Sequence, residues 1–461
     1  MKTLNLHWRI LLAMVFGLAY SWFALSYGYA EFTKTWISPF GDIFIRLLKL
    51  LAVPIVLFSI ISGVSSLVEA KGLGKLAARS IGFYFFTTLV SISLGILLVN
   101  LVSPGKKVGG DVAKRNRLDY EYFALSSGIA ITGESQLDKP ENAQIVAQIK
   151  EDREKRADDK SIQMAKQTSK NKKGLQYVVD MIPENIFAAI SDARSMMQVI
   201  FFAIFFGVAL LFIPNEQVKI LKGFIGEFNN VLVKMINMVM EFAPFFVFCL
   251  LAGTFTELTT TTQGFVDIFS SLSWYTAVVV LGFVIILFVF YPLFVYVFGK
   301  GYSPMKYLSG VKEAQIVAFS TSSSVATLPV TLRCAKEKLS VSDKIANFVI
   351  PVGATVNMNG SAIYQVIAVL FLAQFHGVDV SWQAQLTIMT MTLLASVGTA
   401  GIPSGAFILL IVLLDTVGLD PYWVAIIMPV DRLLDMMLTV VNITGDMAVA
   451  TVVQQGEENN K

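Results

Sequence analysis

Asp431, Asp435, Thr439, Asn442 and Asp446, with Leu438 among them, recur along one apolar segment at intervals of three and four residues. At about 100° per residue they fall within roughly a third of a helix circumference, so the three carboxylates share one face. Inside a bilayer each would cost about 2.5–3.5 kcal/mol even on the mildest insertion scale. Leu433, Leu434, Val440 and Val441 run between them, which argues against a helix end emerging into water. Carboxylate and amide oxygens suit a hard cation, and a buried carboxylate suits an ammonium. The stripe reads as a cation and substrate site within a membrane protein.

Two further features converge on it. The apolar run from Asp343 to Phe375 is interrupted by Gly353-Ala-Thr355-Val-Asn357-Met358-Asn359-Gly360-Ser361. Asparagine and glycine are poor helix formers, so the helix is expected to unwind there and free backbone carbonyls for a cation. Upstream and downstream of it lie two polar interruptions, Ser320 to Pro329 and Ala395 to Ser404. Ser324-Val-Ala-Thr327 and Ser396-Val-Gly-Thr399 share a core, each with a proline soon after. Such weak internal symmetry is expected of transporter repeats. Non-helical backbone at membrane depth survives only when enclosed by protein or facing a water-filled cavity. Both stretches therefore read as tips of re-entrant hairpins.

The elements that must position these groups are helices. Of 461 residues, 55% are hydrophobic and only 15% charged, the profile of a polytopic helical membrane protein. A formal net charge of +3 gives no reason to expect nucleic acid as a partner. Cys249 and Cys334 offer no disulfide framework, and His7 and His376 no metal site or triad, so cap or surface roles fit the histidines better. With no G-x-S-x-G or H-E-x-x-H the chain is not expected to be an enzyme, and acids on one helix face do not make the charged ring of a channel. Apolar segments are expected up to Tyr29, over Ile43 to Leu67, Ile81 to Val102, in pieces from Ile182 to Phe212, over Val218 to Leu251 and over Ser271 to Phe298, followed by the Asp343 to Phe375 run and the acidic helix. Lys2, Arg9, Lys71, Lys75, Arg79, Lys300, Lys306 and Lys312 place their segments inside, so both termini are expected in the cytoplasm of a plasma (inner) membrane protein. Between Pro104 and Gln176 the composition turns polar, and this stretch reads as an external, loosely ordered and dispensable insertion.

The residues Lys49-Leu-Leu-Ala-Val-Pro54, Phe242-Ala-Pro244, Ser322-Ser-Ser-Val-Ala-Thr-Leu-Pro329, Asn357-Met-Asn-Gly360, Gly398-Thr-Ala-Gly-Ile-Pro403 and Asp435-x-x-Leu-Thr-x-x-Asn-x-x-Gly-Asp446 resemble the dicarboxylate/amino acid:cation symporters, the glutamate transporter family. The resemblance implies an all-α, lipid-embedded homotrimer with eight transmembrane helices, two re-entrant hairpins, inverted repeats and an elevator mechanism. It divides the chain into scaffold helices one and two (1–80), transport-domain helix three (81–104), an extracellular polar insertion (105–177), scaffold helices four and five (178–255) and the remaining transport domain (265–461). It implies two or three sodium ions per amino acid. One sodium site would comprise Gly353, Asn357, Asn442 and Asp446, and a second Thr355, Met358, Ser396, Val397 and Thr399. A third would use Tyr84, Thr87, Thr88, Asn357 and Asn359. The substrate site would comprise Ser322, Ser323, Ser324, Ser361, Gly401, Ile402, Asp435, Leu438, Thr439 and Asn442.

Departures from the family pattern shape the expected substrate. Asn359 replaces an aspartate, Leu438 replaces the arginine of acidic-substrate members, Ser322 replaces an arginine found in some archaeal relatives, and Gln365 replaces the glutamate of proton-carrying members. Arg432 lies at the opposite edge of the stripe from Leu438 and is not expected to reach the ligand. The sequence thus points to a sodium-driven carrier of neutral amino acids, with an aspartate, glutamate or dicarboxylate carrier as the alternative. On this reading Leu438→Arg gains aspartate or glutamate binding and loses apolar substrates, which competition against a labelled amino acid measures.

Overall fold

The computed structural model describes residues 6–65, 74–127, 129, 131, 135–156, 182–191, 196–259, 261–396 and 405–458. Every regular element among them is helical. Three helical runs, Ala78–Lys107, Thr262–Phe298 and Asp343–Phe375, are long and apolar enough to cross a bilayer, and shorter apolar helices cover Leu12–Tyr27, Phe201–Phe212 and Ala243–Thr256.

The first half supplies α1 (Leu6–Tyr27), α2 (Ser38–Ser65) and α3 (Gly74–Val102), then α4 (Gly110–Ser126), α5 (Ala143–Arg156) and the short α6 (Ile186–Ser191). Next come α7 (Met196–Phe212), α8 (Asn215–Glu241) and α9 (Ala243–Leu258). A single helix was expected from Val218 to Leu251, but the chain turns at Phe242. Pro244 has no N–H to give to a continuing helix, and it sits instead in the first turn of α9, where that N–H is not needed. Helix α2 packs on α7, α8 and α9, and α9 packs on α1.

The second half begins with α10 (Thr262–Ile285), which passes through a π-helical turn, Ile286–Phe290, into α11 (Tyr291–Phe298). A helical hairpin follows, α12 (Pro304–Thr321) and α13 (Ser324–Glu337), then the broken pair α14 (Asp343–Val356) and α15 (Asn359–Phe375). Helices α16 (Trp382–Ser396) and α17 (Gly405–Thr416) form the arms of the second interruption, and α18 (Val424–Glu458) carries the acidic stripe. Helix α15 is buried on all faces from Asn359 to Ala373, as its all-round apolar sequence requires. It lies against α3, α10, α16, α17 and α18, while α18 also contacts α12, α13 and α14. The acids of α18 therefore face protein on every side.

The insertion differs from expectation. Composition alone suggested loose order, yet among the described residues Pro104–Lys107, α4 (Gly110–Ser126) and α5 (Ala143–Arg156) are helical and docked. Gly105 sits so close to α15 that an added Cβ would lie 2.5 Å from the Phe371 carbonyl oxygen. From α4, Asn116 Nδ2 donates to the Phe375 carbonyl at 3.2 Å and Arg117 Nη1 to the Gly377 carbonyl at 2.6 Å. These bonds satisfy carbonyls that the C-terminus of α15 leaves open, where a guanidinium also complements the helix dipole. Arg153 of α5 grips Asp119 through two contacts of 2.7 and 2.8 Å and reaches Asp420, just before α18, at 3.1 Å. A handful of well-placed polar side chains gives this segment a docking geometry that average hydrophobicity does not register.

His376 also departs from a surface role. It caps α15, is 1% exposed, donates from Nδ1 to the Leu372 carbonyl at 2.8 Å and stacks on Trp423 with ring centroids 3.4 Å apart. Burial pushes its pKa from 6.5 down to about 4, against the opposing influence of Asp119 and Asp420, with Arg153 nearby. Because the folded state holds the imidazole neutral, its contribution is intact above the unfolded value and is lost as pH falls from 6.5 toward about 4. We expect the thermal midpoint to fall between pH 6.5 and 5, and His376→Phe to flatten that slope.

Candidate cation and substrate site

Helix α14 ends at Val356, and Asn357 (φ −97°, ψ 79°) and Met358 (φ −105°, ψ 51°) are non-helical before α15 begins. The unwinding expected across Gly353 to Ser361 is thus confined to two residues. Both asparagines of the break are fully buried. Asn357 Nδ2 donates to Asp446 Oδ1 at 2.8 Å and approaches the Asn442 carbonyl at 3.4 Å, while Thr87 Oγ1 points to Asn357 Oδ1 at 3.4 Å. Asn359 Oδ1 accepts from Thr88 Oγ1 at 2.7 Å, and its Nδ2 donates to the Tyr291 hydroxyl at 2.9 Å. The break of α14–α15 is therefore tied to α3 on one side and α18 on the other.

Gly353 belongs to the same cluster for a steric reason. An added Cβ would collide with Asp446 Oδ1 and lie 2.6 Å from the Tyr84 hydroxyl, which itself donates to the Val349 carbonyl at 2.8 Å. Gly353, Asn357, Asn442, Asp446, Tyr84, Thr87, Thr88 and Asn359 are thus brought together. Their oxygens form a hard, largely uncharged donor set around one carboxylate. Thr355 Oγ1 turns instead to its own helix, donating to the Val352 carbonyl at 2.9 Å, and Ser396 Oγ does the same toward Leu393 at 2.7 Å. The second cation site implied by the resemblance calls on the backbones of these two residues and of the buried Met358. Val397, Thr399, Gly401 and Ile402 lie outside the described residues.

On the substrate side, Asn442 Oδ1 accepts from the Gly360 amide at 2.8 Å, and its Nδ2 faces Ser361 Oγ at 3.4 Å. Thr439 Oγ1 donates to the Asp435 carbonyl at 2.8 Å. Leu438 is buried with its backbone pressed on Gly360. At the first hairpin tip Ser322 adopts a left-handed conformation (φ 51°), and its buried hydroxyl meets no hydrogen-bond partner among the described residues. Ser323 caps α13 by accepting from the Ala326 amide at 3.2 Å, and Ser324 is buried beside it. A strained, unpartnered serine between two helix ends is a feature that persists where it serves binding.

Two groups escaped the sequence reading. Tyr364 donates its hydroxyl to Asp431 Oδ1 at 2.5 Å, so Asp431 is held by α15. Arg432, not expected to reach the ligand, is 7% exposed and places Nη1 3.0 Å from Asp435 Oδ2. Its azimuth on the helix differs from that of Thr439, seven residues on, by only about 20°. Comparing it with Leu438 obscured this alignment, and the flexible side chain covers the remaining distance. Its Nε has no hydrogen-bond partner among the described residues.

Gly353→Ala should destabilise the fold by about 1–3 kcal/mol through overpacking and abolish any stabilisation by sodium chloride over potassium chloride. Thermal unfolding in the two salts measures both effects.

A family model described as the sodium:dicarboxylate symporter family matches residues 6–455. Excitatory amino acid transporter 2 of Homo sapiens is 31% identical over 430 residues, covering 90% of this chain and 72% of that protein. The proton/sodium-glutamate symport protein of Bacillus caldotenax is 28% identical over 457 residues, covering 99% of this chain and 96% of its own. The match runs through both hairpin regions, the helix break and the acidic helix. The chain therefore belongs to the sodium:dicarboxylate symporter family, integral membrane proteins that couple amino-acid transport to sodium, and it is a secondary transporter rather than an enzyme.

Proposed function

We propose that this protein is a sodium-coupled symporter of acidic amino acids, aspartate or glutamate, working by an elevator mechanism. The observation that carries the substrate class is the buried guanidinium of Arg432 beside Asp435. When a substrate ammonium takes Asp435, the displaced guanidinium has a free fork for a side-chain carboxylate, the geometry arginine serves best. The glutamate named for the bacterial relative supports this reading. It replaces the neutral substrate expected from Leu438 as the leading assignment. The neutral reading keeps one observation in its favour, the buried apolar Leu438 next to Gly360.

Charge balance links substrate to stoichiometry. Asp431, Asp435 and Asp446 against Arg432 leave two unmatched negative charges if all are ionised. An acidic amino acid makes three and a neutral one leaves two, so three or two sodium ions respectively bring the buried load to neutrality. In this scheme α1, α2, α7, α8 and α9 form the scaffold (1–80 and 178–255). Helix α3 and residues 265–461 form the moving body, the insertion is extracellular, and both termini are cytoplasmic in the plasma membrane. Exposed apolar side chains on α8, among them Ile220, Phe224, Val231 and Met238, suit lipid and the contacts of a homotrimer.

The test is uptake into liposomes under an inward sodium gradient, with unlabelled amino acids as competitors. Aspartate or glutamate should compete, and Arg432→Gln should weaken them by about thirtyfold or more while sodium-induced stabilisation persists. Inhibition by alanine, serine or leucine with aspartate inert would restore the neutral reading, and uptake indifferent to sodium would sink the coupling. Reversal potentials then give the ion count.

A further inference from the structure

The docked elements between residues 104 and 156 supply none of the residues of the candidate cation and substrate site, yet their polar bonds converge on three places that belong to one side of the proposed two-body division. Asn116 and Arg117 hold the C-terminal carbonyls of α15. Lys106 pairs with Asp379 at 3.2 Å, just after α15. Arg153 joins Asp119 to Asp420, in the turn that leads from α17 into α18. The side chains of this last triad are 12%, 23% and 7% exposed, so separating them would strand opposite charges away from water.

We propose that residues 104–156 are a strap fixed to the moving body: they travel with α15, α17 and α18 through the cycle and lash the end of α15 to the base of the second hairpin. This rests on the elevator reading above. The reason is mechanical as well as electrostatic. A segment bonded to the end of α15 and to the turn between α17 and α18, with Asn116 and the Arg153–Asp119–Asp420 triad largely enclosed, cannot stay with the scaffold while those helices slide past it, unless every one of these bonds breaks in each cycle.

The experiment uses full-length protein with Cys249→Ser and Cys334→Ser. A Cβ built on Gly377 lies 3.8 Å from Arg117 Cβ, the spacing of a disulfide, so Arg117→Cys with Gly377→Cys joins strap to moving body. Should that pair impair folding, Lys106→Cys with Asp379→Cys, joined by a short bismaleimide, asks the same question at exposed positions. A contrast pair, Trp22→Cys with Phe265→Cys, bridges α1 and α10 across the two bodies, where the rings are 5.6 Å apart. Sodium-driven uptake is compared before and after cross-linking. The strap predicts less than a twofold change for either strap pair and at least a tenfold loss for the contrast pair. A tenfold loss in the strap pairs, or failure of both to cross-link in the membrane, overturns it. Undiminished uptake in the cross-linked contrast pair would overturn the elevator reading instead, and uptake before cross-linking reports on transport itself.

Discussion

A carboxylate enclosed by helices must be matched by something, and the three acids of α18 are each matched differently. Asp446 accepts from the side-chain amide of Asn357, Asp431 from the hydroxyl of Tyr364, and Asp435 from the guanidinium of Arg432. The amide and hydroxyl partners are neutral and leave negative charge in place, which is what a cation site requires. The guanidinium cancels charge at Asp435. Asn357, the partner of Asp446, lies in the break between α14 and α15, where the backbone is non-helical.

From that constraint much of the surrounding architecture follows. Gly353, Gly360 and Gly445 lie where added side-chain carbon would strike Asp446, the Leu438 carbonyl and Tyr291, so close approach of α14, α15 and α11 to α18 depends on their small size. Tyr291 and Tyr307 send their hydroxyls to the Val441 and Thr444 carbonyls at 3.1 and 2.7 Å. These bonds tie α11 and α12 to the acidic helix at the level of Asn442 and Asp446.

The outer corner of the molecule follows a different logic. There the C-terminal end of α15 and the turn before α18 present open carbonyls and a carboxylate, and α4 and α5 supply matching donors from a stretch of unremarkable polar composition. His376 and Trp423 close the apolar side of the same corner by stacking. The result is a polar clasp on an apolar bundle, built where water is near enough to solvate its rim.

The sequence by itself determined the helical membrane class, the position of the helix break and the clustering of Asn357, Asn442 and Asp446, because apolar periodicity and glycine-asparagine density are local properties that do not depend on what packs against them. It also placed Ser322 to Ser324 at a tip, since serine-rich interruptions break helices wherever they occur. Only the tertiary structure decided that Arg432 belongs to Asp435. A long side chain's direction is set by the nearest unmatched charge as well as by its azimuth, and position on a helical wheel does not reveal that pairing. Nor could composition show that residues 104–156 are docked: their order depends on carbonyls and carboxylates presented by α15 and α18, more than two hundred residues away, which no local pattern encodes.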